Sequence, residues 1–224
     1  MKIVVINPNS SEEMTKDIRA AAESYAAGRF DVVTLPTPGA SKFIGTFEDV
    51  AKSAHGMSTI VREYEREADA FVVACGRDPN LALMRELTDK PVVGIAQAAI
   101  YMASMLGNSF TILQTDGYTV PNKINVVRGY HMEPYLASVR DASTEPGGRF
   151  EQYLEAGRRA IDEDGAEVII LGCAGLCDMA RELSEQLGVP VLDGVVCGLS
   201  VAEGMVRLGF KTSKARYYSA GRKW

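Results

Sequence analysis

The sequence predicts an α/β protein of two pseudo-symmetric lobes, each a mainly parallel sheet flanked by helices, with a cleft between them. Three observations carry this expectation. Short runs rich in Val and Ile, bounded by turn residues and too short for helices, alternate along the chain with longer amphipathic segments. Two of those runs are near copies: Ala68–Cys75 reads ADAFVVAC and Ala166–Cys173 reads AEVIILGC. The likeness continues past the cysteines, where Arg85-Glu86-Leu87 leads to Pro91-Val92-Val93 and Arg181-Glu182-Leu183 leads to Pro190-Val191-Leu192. Strand, cysteine, loop, helix and next strand are therefore written twice.

In chain order, residues 3–6 form a buried strand, and Asn7-Pro8-Asn9-Ser10-Ser11 is a polar turn into a helix over 12–27, which Ser10 or Ser11 caps. A loop at a strand's carboxyl end, beside a helix amino terminus, presents amides to a ligand, so Asn9 has two readings, ligand contact and turn chemistry. Residues 31–35 make the second strand, and Pro36-Thr37-Pro38-Gly39 opens a long loop on the same edge that is placed to cover a ligand. A helix is expected over 47–68, with His55 a solvated or packed residue within it. After Cys75, Asp78-Pro79 signals a helix start with proline at the first helical position, which would set Cys75 near a helix amino terminus that favours thiolate.

Residues 91–95 read as a strand and 97–106 as a small-residue helix where the chain crosses to the second lobe. The first lobe is expected to comprise 1–97 plus 198–224, and the second 98–197. Strand 110–113 repeats the role of 3–6, and Gln114-Thr115-Asp116-Gly117 repeats the polar loop, with Thr115 aimed at a ligand and Asp116 equally suited to capping. A helix over 120–130, a strand at 137–140, a turn at 144–148 and a helix over 150–164 follow. His131 is read as structural. Gly172, Ala174 and Gly175 put small residues around Cys173, where backbone can approach a ligand and amides can face an anion. Cys177, expected on the first turn of the next helix, makes no CxxC with Cys173, and no zinc site is read. Cys197, in a helix over 195–208, is read as core packing, and the tail from Lys211 is basic with little regular pattern.

Length and composition bound the function. With 224 residues and 46% hydrophobic content the chain can bury a substantial core, and its formal charge of −5 includes no basic stripe, which argues against nucleic acid or a membrane surface as partner. The amino terminus reads as a first strand and not as an export signal, and no apolar run approaches a bilayer span. Four cysteines are then expected as free thiols in the cytoplasm. Two histidines, His55 and His131, give little support to histidine catalysis or a histidine metal site.

Two thiols at equivalent places in two facing lobes suit a reaction that needs one proton acceptor and one proton donor. Each sulfur must come within about 3–3.5 Å of the reacting carbon, which sets the pair roughly 7 Å apart across a small-molecule substrate. One is then thiolate while the other is thiol, and the roles exchange with direction. No cofactor is needed where the substrate itself stabilises a carbanion. Cys75 and Cys173 are thus the candidate catalytic residues, with Asn9, Ser10, Gly76, Arg77, Thr115, Gly172, Ala174 and Gly175 as candidate substrate contacts.

Ile6-Asn7-Pro8-Asn9-Ser10, the Cys75 to Asp78-Pro79 segment, PVVGIAQA at Pro91–Ala98, LGCAGL at Leu171–Leu176 and GVPVLDGV at Gly188–Val195 together resemble the aspartate/glutamate/hydantoin racemase superfamily, and within it the hydantoin and allantoin racemases. The resemblance covers nearly the whole chain. It implies that the two cysteines act as acid and base, that neither metal nor pyridoxal phosphate is used, and that subunits form homo-oligomers. Departures bear on substrate. Hydantoin racemases commonly read C-F-G-D-P-G where this chain has Cys75-Gly76-Arg77-Asp78-Pro79-Asn80, and tend to carry Glu at the place of Gln97 and Glu-Gly-Tyr at Ile44-Gly45-Thr46. Arg77 either clamps an anionic substrate or turns to solvent or a nearby acid. The leading expectation is racemisation of 5-substituted hydantoins. The alternatives are an amino-acid racemase, a decarboxylase or isomerase of a small diacid, and a silent small-anion binder.

Overall fold

The computed structural model describes residues 1–176 and 179–219. The first sheet is built from β1 (Lys2–Asn7), β2 (Asp31–Pro36), β3 (Ala70–Val73) and β4 (Val92–Gly94), and the second from β5 (Phe110–Gln114), β6 (Leu136–Asp141), β7 (Val168–Leu171) and β8 (Val191–Leu192). Spatial orders are β2-β1-β3-β4 and β6-β5-β7-β8, and the paired strands run parallel. The register carries the duplication down to single residues. Ile6 pairs with Val73, and Leu113 with Leu171. Asn7 and Gln114 are therefore equivalent strand ends, as are Ala74 and Gly172, and Cys75 and Cys173.

The helices are α1 (Glu12–Ala26), α2 (Phe47–Tyr64), α3 (Leu81–Leu87), α4 (Ile95–Leu106), α5 (Val120–Gly129), α6 (Arg149–Asp164), α7 (Ala180–Leu187) and α8 (Gly194–Arg207). They sort into layers because side chains alternate across each strand. Val4, Ile6, Phe71 and Val73 face outward and bury against Met57, Ile60 and Val61 of α2 and Met84 of α3. Ile3, Val5 and Val72 face inward, as do Ile112, Val168 and Ile170 of the other sheet, and all six join one cluster with α1, α4, α5 and α8. The outer face of the second sheet packs on α6 and α7. The lobes thus share a central core.

The link between them is an exchange of helices. Although α8 follows the second sheet, it packs on β3 and β4 of the first, and α4 follows the first sheet but packs on β7. Small residues allow the two helices to meet: a Cβ on Gly198 would come within 3.1 Å of both Ile95 and Val72. The tail after α8 is also tied to the first lobe, where Thr212 N donates to Asp89 O and Lys214 Nζ donates to the carbonyls of Arg85 and Glu86. Cys197 is a core residue, as read: it is buried beside Met102, and burial pushes its thiol up to about 12.

Two local expectations are corrected. The helix read over 47–68 ends at Tyr64. The Asp78-Pro79 helix start is also wrong, since α3 begins only at Leu81 and both Asp78 (φ 46°) and Asn80 (φ 58°) take left-handed backbone. Asn80 is instead the residue that precedes the helix, its carbonyl accepting from Met84 N. The helix that follows Cys75 therefore starts six residues beyond it and not at Asp78-Pro79. Cys177 lies outside the described residues.

Candidate active site

Both sheets end at one cavity. Cys75 and Cys173 line it, each two residues beyond the end of its strand and each half-buried. Of the other residues expected at a ligand, Asn9, Gly76, Arg77, Thr115, Gly172 and Ala174 line the same cavity. Phe43 and Ile44, from the long loop after β2, cover part of it. Ser10 and Gly175 do not border it. The Ser10 hydroxyl donates to Ala40 O at 2.9 Å, and Gly175 borders a separate groove, where its carbonyl accepts from Arg149. Ser11 is the cap of α1, accepting from Met14 N at 3.2 Å.

The first-lobe asparagines are largely spent on each other. Asn7 Nδ2 donates to Asn9 Oδ1 at 2.8 Å and to Thr15 Oγ1 at 2.9 Å, while Asn9 Nδ2 donates to Met14 Sδ. Arg77 is likewise engaged: its guanidinium donates to Gly45 O and lies 5.5 Å from the centre of the Phe47 ring. It pins the covering loop to the mouth of the cavity. Thr115 is exposed, and Asp116 does cap the short 3₁₀ turn at Gly117–Thr119 by accepting from Thr119 N. His55 and His131 are both exposed and neither lines the cavity.

Sequence reasoning passed over Lys123. It projects from α5 into the interface between the sheets and is 4% exposed. Its ammonium donates to Gly76 O of one lobe and, at 2.8 Å, to Gly172 O of the other. Those are the carbonyls flanking the two cysteines in sequence. Burial lowers the lysine's pKa, opposed by its attraction to Cys75, Cys173 and Asp78. Burial also pushes the Cys75 thiol up to about 11, with the Lys123 cation and a hydrogen bond from Arg77 N pulling the other way. A Cβ on Gly76 would overlap both Gly172 O and Lys123 Nζ, so this glycine is required by the packing of the lobes.

Asp78, freed from its expected capping role, supports the site from behind. Its carboxylate accepts from Ala96 N at 3.1 Å and Gln97 N at 2.7 Å, the first amides of α4, and from Tyr130 Oη of the second lobe at 2.6 Å. Burial raises its pKa against those three donors. Gly94 has no side chain because a Cβ would overlap this carboxylate. Asp78→Ala leaves two buried amides and a hydroxyl without their acceptor, and is expected to cost about 3 kcal/mol. Thermal unfolding should read this as a fall of roughly 6–12 °C, and an unchanged midpoint would contradict the assignment.

Among the described residues, no group of three His, Cys, Asp or Glu side chains is placed to hold a metal ion, and no helix is long and apolar enough to cross a membrane. What the cavity does offer is two thiols from opposite lobes, a buried cation between the strand ends and the guanidinium of Arg77.

Comparison with known proteins gives the family. The model of the Asp/Glu/hydantoin racemase family matches residues 3–202. The chain is 40% identical over 226 residues to a hydantoin racemase of Pseudomonas sp. (strain NS671), covering 97% of this chain and 91% of that protein. Among solved structures, it is similar to the allantoin racemase from Klebsiella pneumoniae, with a TM-score of 0.93, 34% identity and coverage of 100% and 95% of the two chains. It is also similar to the allantoin racemase from Pseudomonas fluorescens, with a TM-score of 0.92, 30% identity and coverage of 100% and 98%. The chain therefore belongs to the Asp/Glu/hydantoin racemase family and is an isomerase of the racemase class.

Proposed function

We propose that the protein racemises 5-substituted hydantoins, allantoin among them, by passing a proton between Cys75 and Cys173. The observation that carries this reading is that register-equivalent cysteines of two lobes line a single cavity. One sulfur, as thiolate, removes the proton from ring carbon 5, and the electron pair of that bond moves into the adjoining carbonyl to give an enolate. The other sulfur, as thiol, returns a proton to the opposite face, and the enolate collapses to the inverted ring. The two thiols then differ from their starting state only in which holds the proton, so the reverse reaction resets them.

The pKa of Cys75 fits a donor that stays protonated through neutral pH, and the Lys123 cation offsets part of the cost of ionising it when direction reverses. The charge distribution favours a neutral ring over a free amino acid. The two cations at the cavity, Lys123 and Arg77, already serve the carbonyls of Gly76, Gly172 and Gly45. A substrate carboxylate would have to compete for them. In this reading the enzyme takes no cofactor and works as a homo-oligomer in the cytoplasm.

The test is to incubate single enantiomers of 5-isopropylhydantoin and of allantoin in deuterated water, following optical rotation together with deuterium at carbon 5. Loss of rotation with one solvent deuterium gained per inversion is expected. Gas release or an altered skeleton would point to decarboxylation or isomerisation of another carbon acid, and binding with neither exchange nor inversion would reduce the protein to a binder.

A further inference from the structure

The duplicated strand ends are not used alike. Asn7 closes β1 and Gln114 closes β5 at the equivalent register, and both are buried. Asn7 faces the methyl-bearing residue Ala74 across the register, whereas Gln114 faces Gly172. The exchange is forced by volume: a Cβ on Gly172 would overlap Gln114 Nε2. The side chain one methylene longer therefore occupies the space a methyl group would fill, and its amide lies against the residue preceding Cys173.

The hydrogen bonds divide the same way. Asn7 Nδ2 is consumed by Asn9 Oδ1 of its own loop and Thr15 Oγ1 of α1. Gln114 Oε1 accepts from Thr119 Oγ1 at 3.1 Å, and Thr119 is itself fixed by Asp116, which accepts from its backbone amide at 2.9 Å. Gln114 Nε2 has no hydrogen-bond partner among the described residues, although Gln114 is 3% exposed and lines the cavity. A buried amide donor without an acceptor is costly to keep, and a site that receives a carbonyl oxygen supplies the missing partner. Thr119 holds the oxygen end of the amide, which leaves the nitrogen end for the ligand.

We infer that Gln114 donates a hydrogen bond from Nε2 to the substrate carbonyl adjoining the reacting carbon, and so stabilises the enolate oxygen formed when that carbon is deprotonated. This rests on the racemase reading proposed above. The substrate class follows from it: the ring must carry a carbonyl on the carbon next to the acidic C–H, directed at the second-lobe strand end. Thr119 is a positioning residue that acts through Gln114.

The test compares Gln114→Glu and Gln114→Met with the unsubstituted enzyme on single enantiomers of 5-isopropylhydantoin and allantoin. Glutamate keeps the shape and, when ionised, offers only acceptors, and methionine keeps the length and offers no donor. Loss of one preorganised donor to a developing oxyanion is expected to lower kcat by about 100-fold or more in both, with KM within about threefold. Thr119→Val should give a smaller loss, again in kcat. Unaltered kcat in Gln114→Met, or a change confined to KM in both variants, overturns the inference while leaving the racemase reading intact. An unsubstituted enzyme inactive on both hydantoins would instead overturn that reading, and the inference with it. Near-ultraviolet circular dichroism of each variant checks that the fold is retained.

Discussion

Cys75→Ser and Cys173→Ser, made singly, are each expected to lower kcat/KM for racemisation by about 10³-fold or more, and by the same factor for both enantiomers. A serine hydroxyl at neutral pH is neither a usable base nor a competent donor to a carbanion, and a positioned acid or base is worth about 10²–10⁴. The equality follows because enantiomers have equal energy, so the two directions of a racemase share one transition state and one kcat/KM. What should differ is exchange without inversion. With Cys75 replaced, the Cys173 thiolate still reaches the one enantiomer whose C–H faces it, trades its proton with solvent and returns deuterium to the same face. With Cys173 replaced, the other enantiomer should exchange. Deuterium gained by each enantiomer under each variant, followed by mass spectrometry, gives a crossed pattern. Exchange of both enantiomers by either single variant would mean that one sulfur serves both faces.

The second large effect is expected at Lys123. Its ammonium binds the carbonyls beside both cysteines and lowers the cost of ionising Cys75. Lys123→Met should reduce kcat/KM at neutral pH by roughly 10²-fold, a size typical of a lost electrostatic contact in a water-poor site. The pH profile gives the more specific sign. Activity requires one thiolate and one thiol, so the acid limb reports loss of the first proton from the pair. A cation favours the ionised form, its removal raises the pKa, and the acid limb therefore moves to higher pH. Lys123→Gln keeps a donor for a carbonyl but not the charge, and should show the same displacement with a smaller structural cost. A profile that does not move in either variant would assign Lys123 to architecture alone.

Much of the fold could be read from the chain because its strands are short Val and Ile runs between turn residues, and because the repeat ending at Cys75 and Cys173 fixed which strand ends face the cavity. The readings that went astray did so where a side chain works far from its place in sequence. Asp78 looked like a cap for its own helix, yet its carboxylate reaches the amides of Ala96 and Gln97 and the hydroxyl of Tyr130. Lys123 contacts carbonyls 47 and 49 residues away. One local signal for it does exist, since it falls three residues after Val120 and four before Val127, on the face of α5 that buries. Asn7 and Asn9 illustrate the reverse case. Short amides close in sequence satisfy one another and the nearby backbone, so a polar strand-end loop is not by itself a ligand contact. Gln114 escaped notice because its open donor depends on the absence of a Cβ at Gly172, a relation visible only across the sheet.

Two-thiol racemisation requires the two sulfurs to address opposite faces of one planar ring. Its most direct measurement is a crystal structure of the Cys75→Ser, Cys173→Ser double variant holding a single enantiomer of 5-isopropylhydantoin. The two hydroxyl oxygens are expected on opposite faces of carbon 5, each within about 3.5 Å of it. Both oxygens on the same face, or either one out of reach of that carbon, would contradict it.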